Sequence, residues 1–340
     1  MERTEPMPVN LELSRPSQTV PVLPAREVQT DVLSLVHDLQ TRHASHSTGA
    51  ILNHPRFVEA RSRFVSGIMD LYDNDPFMNR LLVEAGQAVI FGLIICLWAD
   101  YDPQDRMTWP TGKRLKAQLE QFGLASPRRV DDILARLVAT DFIVLRSVPN
   151  DRRVRLIEPT ERMFAHDLTS LLPFYRSLDL LFGEARYRGI LDHDRQAHLA
   201  QRKAAIAIFP WSARILSQNP DIMHFFSRPC ALHIVFKFLE IGATGPDNPV
   251  REVTFAELGQ RFGMSRSHVR NVLRDAEGAG LVARSGPRGV FHHLTPRCVA
   301  SFDRFVAEAL ASSDLSCAIA VAGQAHHHRD SCLPDDRLVS

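Results

Sequence analysis

The sequence has few cysteines, and none of the spacings that give cysteines a structural role. The chain of 340 residues contains five of them, namely Cys96, Cys230, Cys298, Cys317 and Cys332. They lie far apart without a C-x-x-C pair, and no secretory signal follows Met1. These absences argue against a disulfide framework and a cysteine zinc site, and they favour a reducing cytoplasm.

A long apolar run is also missing. The most apolar stretch, Ala88 to Ala99, is shorter than the roughly 20 residues that a helix needs to cross a bilayer. We therefore predict a buried helix there and no membrane anchor.

The signatures of common enzymes are absent as well. There is no G-x-x-x-x-G-K-[ST] phosphate loop, dinucleotide glycine fingerprint, H-E-x-x-H helix or G-x-S-x-G elbow. The 15 histidines are scattered, and His37, His43 and His46 lack carboxylate or cysteine partners at ligand spacing. His292-His293 falls on a predicted strand, and the run His326 to His328 falls in a soft tail. We predict a non-enzymatic protein with no cofactor and no metal.

The net charge of +1 hides an uneven distribution. Between Gln104 and Arg162 there are 12 Lys and Arg against 8 Asp and Glu, and between Arg251 and Arg297 there are 8 against 4. The rest of the chain is acidic. Two basic segments in an acidic frame indicate localised contact with a polyanion, because phosphate attraction depends on local charge.

The two basic segments contain an internal repeat of about 139 residues. The segment Ser126 to Val130 aligns with Ser265 to Val269, Phe142 aligns with Leu281, and, after a two-residue length difference, Ile157 to Pro159 aligns with Leu294 to Pro296. Each copy predicts a helix followed by a β-hairpin.

The second copy has the pattern of two short helices at a tight corner. Thr254 and Glu257 form a capping box, the turn falls at Gly263-Met264, and Ser265 can cap the next helix. The apolar face of that helix consists of Val269, Val272, Leu273 and Ala276. Helical periodicity then places four polar side chains outward, and we call them the reading face: Ser267, Arg270, Asn271 and Arg274.

The reading face carries the chemistry that a DNA major groove requires. Arginine can donate two hydrogen bonds to guanine, asparagine can pair with adenine, and a small serine allows close approach. Arg266 and His268 flank the face and could hold phosphates. A hairpin from Leu281 to Leu294 adds Arg284 on its first strand and Arg288 at its tip.

The first copy has the same skeleton, with a leading helix from Thr111 to Phe122, a turn at Gly123, a cap at Ser126 and Pro127 at the first helical position. Its hairpin is strongly basic, with Arg152 and Arg153 at the tip and Arg155 on the returning strand.

The element Asp151-Arg152-Arg153 after the second helix resembles the wing of the MarR-type winged helix family, over roughly Ala85 to Arg162. The second copy resembles a generic winged helix. The resemblance implies a bacterial transcription regulator that binds double-stranded DNA, sometimes under small-molecule control.

The first copy departs from this pattern on its outward face. The repeat places Arg128, Asp131, Asp132 and Ala135 where the second copy has its reading face. Two aspartates there would be repelled by phosphates, so we assign base readout mainly to the second copy. The first copy then binds through Arg128, Arg129 and its hairpin, or it serves as a packing domain.

The fold class expected from these patterns is mainly α with small β-hairpin wings, in which two winged helix-turn-helix domains are joined by a helical linker. The expected divisions are a disordered arm (1–30), N-terminal helices (31–82), the first winged helix domain (83–162), the helical linker (163–228), the second winged helix domain (229–312) and a flexible tail (313–340). Pro173 and Pro210 should kink or break the linker helices. The apolar stripe from Leu168 to Leu181 could form an interdomain core, a dimer interface or an effector pocket.

Three classes of function fit the sequence. The first is a transcription regulator, cytoplasmic and associated with the nucleoid, whose partner is double-stranded DNA. The second is a plasmid- or phage-type replication initiator with tandem winged helices, and the third is a scaffold whose winged helices bind protein. A homodimer and a small-molecule effector stay open as further partners.

Overall fold

The structure is a computed structural model. It describes residues 36–73, 85–120, 125–148, 151–226, 228, 230–242, 244–245, 264–285 and 291–330. This part of the chain is mainly helical and contains two separate antiparallel sheets of two strands each.

The first half begins with helical residues 36–42. The elements that follow are α1 (Thr48–Leu52), α2 (Phe57–Asp73), α3 (Ala85–Ala99), a 3-10 turn (Arg106–Thr108), α4 (Gly112–Glu120), α5 (Pro127–Ala139), β1 (Ile143–Val148) and β2 (Asp151–Pro159).

The second half begins with the longest central helices. Its elements are α6 (Glu161–Phe182), a 3-10 turn (Ala185–Tyr187), α7 (Arg188–Leu191), α8 (Arg195–Ser217), α9 (Pro220–Phe226), α10 (Ala231–Glu240), α11 (Arg266–Gly278), β3 (Val282–Ser285), β4 (Phe291–Leu294) and α12 (Pro296–Asp330).

One hydrophobic core belongs to α3, α4, α5, the β1–β2 hairpin and the first turn of α6. The apolar stretch predicted to be a buried helix forms α3 from Ala88 to the last residue of the helix, Ala99, and Ile90, Ile94 and Leu97 within it are inaccessible to solvent. Leu115 of α4 and Ile133 of α5 pack in the same core. We call α4, α5, β1 and β2 the first helix–hairpin unit.

A larger core joins both ends of the chain. It contains Phe64 of α2, Tyr175 of α6, Phe236 of α10, Leu273 of α11 and Phe302 of α12. We call α11, β3 and β4 the second helix–hairpin unit, and its apolar side belongs to this core. Residues 163–228, expected to be a linker, supply the middle of the core through α6 and α8.

The prolines of the two central helices do not break them. Pro173 lies inside α6 and Pro210 lies inside α8, and both helices continue past them. Pro173 packs on α2 at Gly67, where an added Cβ would come within 3.0 Å of the proline ring. Glycine at position 67 therefore lets α2 and α6 approach each other closely.

The expectation of a flexible tail from residue 313 is wrong for residues 313–330, which continue α12. Leu315 and Cys317 are buried in the large core. Asp314 is fully buried because its carboxylate accepts hydrogen bonds from the backbone N–H of His46 (2.7 Å), the Tyr187 hydroxyl (2.8 Å) and Arg186 Nε (3.1 Å). Near Asp314, small and polar side chains pack between helices, whereas the helix is exposed at Val321, Gly323 and Gln324.

Among the described residues, one helical segment, Pro296–Gln324, is long and apolar enough to cross a membrane by length and composition. In its most apolar window, 67% is buried inside the protein. Such burial is typical of a core helix.

Candidate nucleic-acid interface

The two helix–hairpin units share one backbone plan. Helices α5 and α11 each contain 13 residues, and a serine hydroxyl caps each of them: Ser126 accepts from the N–H of Arg129, and Ser265 accepts from the N–H of His268. These are the two caps that the repeat predicts. The aligned helices begin and end at equivalent residues, so the sequence repeat is also a structural repeat.

The corner after each helix is also equivalent. The N–H of Phe142 donates to the carbonyl of Leu137, and the N–H of Leu281 donates to that of Ala276, both at 2.9 Å. The residue before each donor has a positive φ, +59° at Asp141 and +70° at Gly280. This left-handed residue turns the chain from the helix into the first strand.

The predicted alignment is wrong for the returning strands. Ile143 pairs with Pro159, and its equivalent Val282 pairs with Leu294. The two hairpins therefore differ in length by four residues. The first spans 17 residues from Ile143 to Pro159, and the second spans 13 residues from Val282 to Leu294. Matching prolines caused the error: Pro159 ends a strand, whereas Pro296 begins a helix.

With the corrected register, Thr160 is the counterpart of Thr295. The Thr160 hydroxyl donates to the carbonyl of Asp141 at 2.8 Å, and the Thr295 hydroxyl donates to that of Gly280 at 2.9 Å. Each hydroxyl also accepts from the N–H three residues later. One side chain in each unit thus joins the helix–strand corner to the start of the following helix.

Helix α11 presents the reading face to solvent, as its periodicity predicts. The exposed residues include the whole reading face and Arg266, while His268 is half-buried. On the opposite side, Val269, Val272, Leu273 and Ala276 are buried. The side chains with base-reading chemistry therefore lie where a ligand can reach them.

Two residues of the reading face form a hydrogen bond with each other. Nη2 of Arg274 donates to Oδ1 of Asn271 at 2.9 Å. The amide oxygen has a second lone pair and the amide nitrogen has two hydrogens, so Asn271 can still accept and donate. The contact orients both side chains over one patch of the helix and reduces the entropy that they would lose on binding.

Ion pairs fix α11 to its surroundings. Nη1 of Arg228 donates to Oδ2 of Asp275, and this hydrogen bond lowers the pKa of Asp275. Nε of Arg284 donates to Oε2 of Glu277 at 2.9 Å. Arg284, predicted to contact DNA, is exposed but here connects β3 to α11.

The two histidines of β4 differ in environment. His293 is buried, with 6% of its surface exposed. His292 is half-buried, and burial together with the nearby Arg284 lowers its pKa. His292 is therefore neutral near pH 7 and does not attract a phosphate by charge.

The outward face of α5 is more acidic than that of α11. Arg128, Asp131, Asp132 and Ala135 are all exposed, and Arg129 is half-buried. Nζ of Lys116 on α4 lies 2.6 Å from Oδ1 of Asp131. Asp131 is thus engaged by a neighbouring cation within its own unit.

The β1–β2 hairpin keeps part of its positive charge accessible. Arg153 and Arg155 are exposed on β2. Asp151 accepts from the N–H of Arg153 at 3.2 Å and from Arg106 Nη2 at 3.2 Å. The aspartate of the Asp-Arg-Arg element therefore shapes the start of the strand, while the two exposed arginines are available to an anion.

Sequence reasoning missed two residues that organise the site. Arg228 lies outside the repeat, and nothing in the sequence pairs it with Asp275 on α11. Lys116 lies on the polar side of α4. The only signal in the sequence for its ion pair with Asp131 was its position on the preceding helix.

Several predicted features lie outside the described residues: Thr254, Glu257, Gly123, Gly263, Arg288, the side chain of Arg152 and the arm 1–30. Within the described residues, no group of three or more His, Cys, Asp or Glu side chains is placed to hold a metal ion. Comparison of the chain with protein-family models, with curated proteins and with solved structures finds no significant match.

Proposed function

We propose that the chain is a sequence-specific regulator of transcription that binds double-stranded DNA through two winged helix domains, residues 83–162 and 229–312. It acts in the cytoplasm on the nucleoid and catalyses no reaction. The observation that carries this proposal is the exposed Arg270, Asn271 and Arg274 on a short capped helix that precedes a hairpin.

The geometry of α11 supports insertion into a major groove. An α-helix with side chains is about 10–12 Å across, and the major groove of B-DNA is about 12 Å wide. Ser267 adds little bulk to the exposed side, so the helix backbone can come close to the base edges. Arg270 or Arg274 can then engage guanine, and Asn271 can engage adenine.

The two domains have different tasks in this proposal. The second domain reads bases with α11. The first domain has Asp131 and Asp132 on the equivalent face, so it contributes phosphate contacts through Arg128, Arg153 and Arg155. Two covalently linked domains that differ in this way need no palindromic site.

Genome-wide occupancy mapping of the tagged protein tests the proposal directly. We expect discrete peaks upstream of transcription units that share a sequence motif. One cluster of repeated sites at an origin would instead favour the replication initiator, and an absence of peaks would favour the protein-binding scaffold.

Salt dependence of binding to the mapped site gives a second test. The logarithm of the affinity should fall linearly with the logarithm of salt concentration, with about 0.9 units of slope for each phosphate contact. Arg266→Ala should lower that slope by roughly 1 without changing sequence preference. A protein without salt-dependent DNA affinity would overturn the proposed function.

A further inference from the structure

A cavity of about 400 Å³ lies among α3, α6, α8, α10 and α12. Its volume falls within the range of small-molecule sites. Phenylalanine rings dominate the lining, and they include Phe91, Phe174, Phe209, Phe225, Phe236 and Phe305. The cavity therefore offers an occupant a large apolar contact area between the cores of the two helix–hairpin units.

The side-chain amide of Gln201 in the lining has a buried oxygen without a hydrogen-bond partner. Gln201 of α8 is 3% exposed, and its Nε2 donates to the Ser316 hydroxyl at 2.7 Å. Its Oε1 is buried without any hydrogen bond. Because an unsatisfied buried carbonyl is costly, a rotation of the Gln201 side chain that turns Oε1 toward the cavity would let a donor group on an occupant stabilise it.

Two charged groups in the lining, Asp167 and Arg202, neutralise each other. Asp167 accepts from Arg202 Nε and Nη2, each at 2.7 Å, and it also contacts His198 Nε2 at 2.7 Å. Burial would raise the pKa of Asp167, but Arg202 and His198 hold it below its usual value. Asp167 and Arg202 are thus paired ions, and no charge is left over for a charged ligand.

Cys96 adds another uncharged group. Burial raises the pKa of its thiol to about 11, so the thiol is protonated at neutral pH. The lining as a whole selects a neutral occupant, since burying an unpaired charge there would be strongly unfavourable.

The cavity is also lined by residues that contact α11, the helix that carries the reading face. Arg228 lines the cavity, and its guanidinium pairs with Asp275 of α11. His233 and Phe236 of α10 line it as well, and α10 packs against α11. An occupant that displaces Arg228 or α10 would move the helix that carries Arg270 and Asn271.

We propose that this cavity binds a neutral, mainly apolar small molecule that donates one hydrogen bond to Oε1 of Gln201, and that binding shifts α11 through Arg228 and α10. The chemical class comprises aromatic amines, phenols and similar molecules with a single donor. Ligand binding does not depend on DNA; only its regulatory meaning rests on the proposed function.

The test of the site uses N-phenyl-1-naphthylamine, a neutral apolar fluorophore with one N–H donor. Its fluorescence should rise saturably with the wild-type protein. Gly92 of α3 lines the cavity, and a Cβ there meets no atom within 4 Å. Gly92→Leu should therefore fill the space and weaken probe binding at least tenfold, with Gly92→Ala intermediate.

The matched control is Gly323→Leu, because Gly323 is helical and exposed and has equally open surroundings outside the cavity. This control should bind the probe as the wild type does. Equal binding by Gly92→Leu and the wild type, or no binding by the wild type, would overturn the site.

The hydrogen bond is tested by comparing the probe with its N-methyl analogue, which lacks the donor. The wild type should prefer the N–H probe by about 2- to 10-fold. Gln201→Leu should lose this preference, whereas Gln196→Leu, on the exposed side of α8, should keep it. A preference that survives Gln201→Leu would refute the assigned acceptor.

Coupling to α11 is measured by amide hydrogen exchange without DNA. The probe should change exchange in residues 266–278 of the wild type. Asp275→Asn, which does not line the cavity, should bind the probe normally and lose most of that change. An unchanged α11 in the wild type would refute the coupling, while a failure of DNA binding alone would refute the proposed function and leave the ligand site standing.

Discussion

Arg270 offers the sharpest test of base readout, because charge and geometry can be separated at this one exposed position. A bidentate arginine–guanine contact contributes roughly 1–3 kcal/mol of discrimination, or about 5- to 150-fold in relative affinity. We expect Arg270→Ala to abolish preference at one base pair of the mapped site. Arg270→Lys should also lose most of it, since an ammonium lacks the planar fork, but should retain affinity for nonspecific DNA.

The assay is competition between the mapped site and variants that carry single base changes, at fixed salt. Asp131→Ala is the matched control on the equivalent face of the first unit. It removes a negative charge and releases Lys116 from its ion pair, so overall affinity should rise slightly without a change in preference. Equal losses of preference from Arg270→Ala and Asp131→Ala would refute the assignment of readout to α11.

Three further predictions concern stability. Asp167→Asn leaves the Arg202 guanidinium buried without its counter-ion, so the free energy of unfolding measured in urea should fall by about 3–5 kcal/mol. The control is Asp38→Asn, which breaks an exposed ion pair with Arg42. An equally small loss in both variants would contradict the prediction. Because the pKa of Asp167 is lowered by folding, its contribution is present above the pKa of an unfolded aspartate, about 3.9, and is lost as pH falls through the lower folded value. The wild type should therefore lose stability in that acid range. If the Asp167→Asn protein showed the same dependence on acid pH, the loss could not be assigned to Asp167. Thr160→Val and Thr295→Val should each lower the free energy of unfolding by about 1 kcal/mol, because each removes an N-cap. Thr169→Val, at an exposed position within α6, should lower it little. A negligible loss at only one of the two caps would show that the two corners are not energetically equivalent.

The elements of the two units were predictable because local signals agree there. Serine caps, apolar spacing and the 139-residue offset locate the starts of α5 and α11 to the residue, and the same spacing separates the buried Val269 and Leu273 from the exposed Arg270. These are properties of one helix and its flanks. Period and capping chemistry are sufficient to determine them.

The rest depended on contacts between distant segments. Ser316 lies in the expected flexible tail, yet it receives a hydrogen bond from Gln201, and the preceding turn of the helix contacts the Ser212 hydroxyl through Ser312 at 2.7 Å. Small residues permit close packing of α12 on α8, and hydropathy does not distinguish that role from a soft tail. Arg228 and Asp275 are 47 residues apart, so the ion pair behind the reading face had no local signature.

The bond between His46 and Asp314 joins residues separated by 268 positions, and this sets an order of events during synthesis. The core of the first helix–hairpin unit draws mainly on residues 90–164, so it can form while the ribosome is still translating the second half. Helix α1 must wait for α12, which packs against it, whereas α2 packs on α6 and can dock as soon as α6 has been made. Until then a chaperone, or a neighbouring nascent chain, meets an uncovered surface on α1.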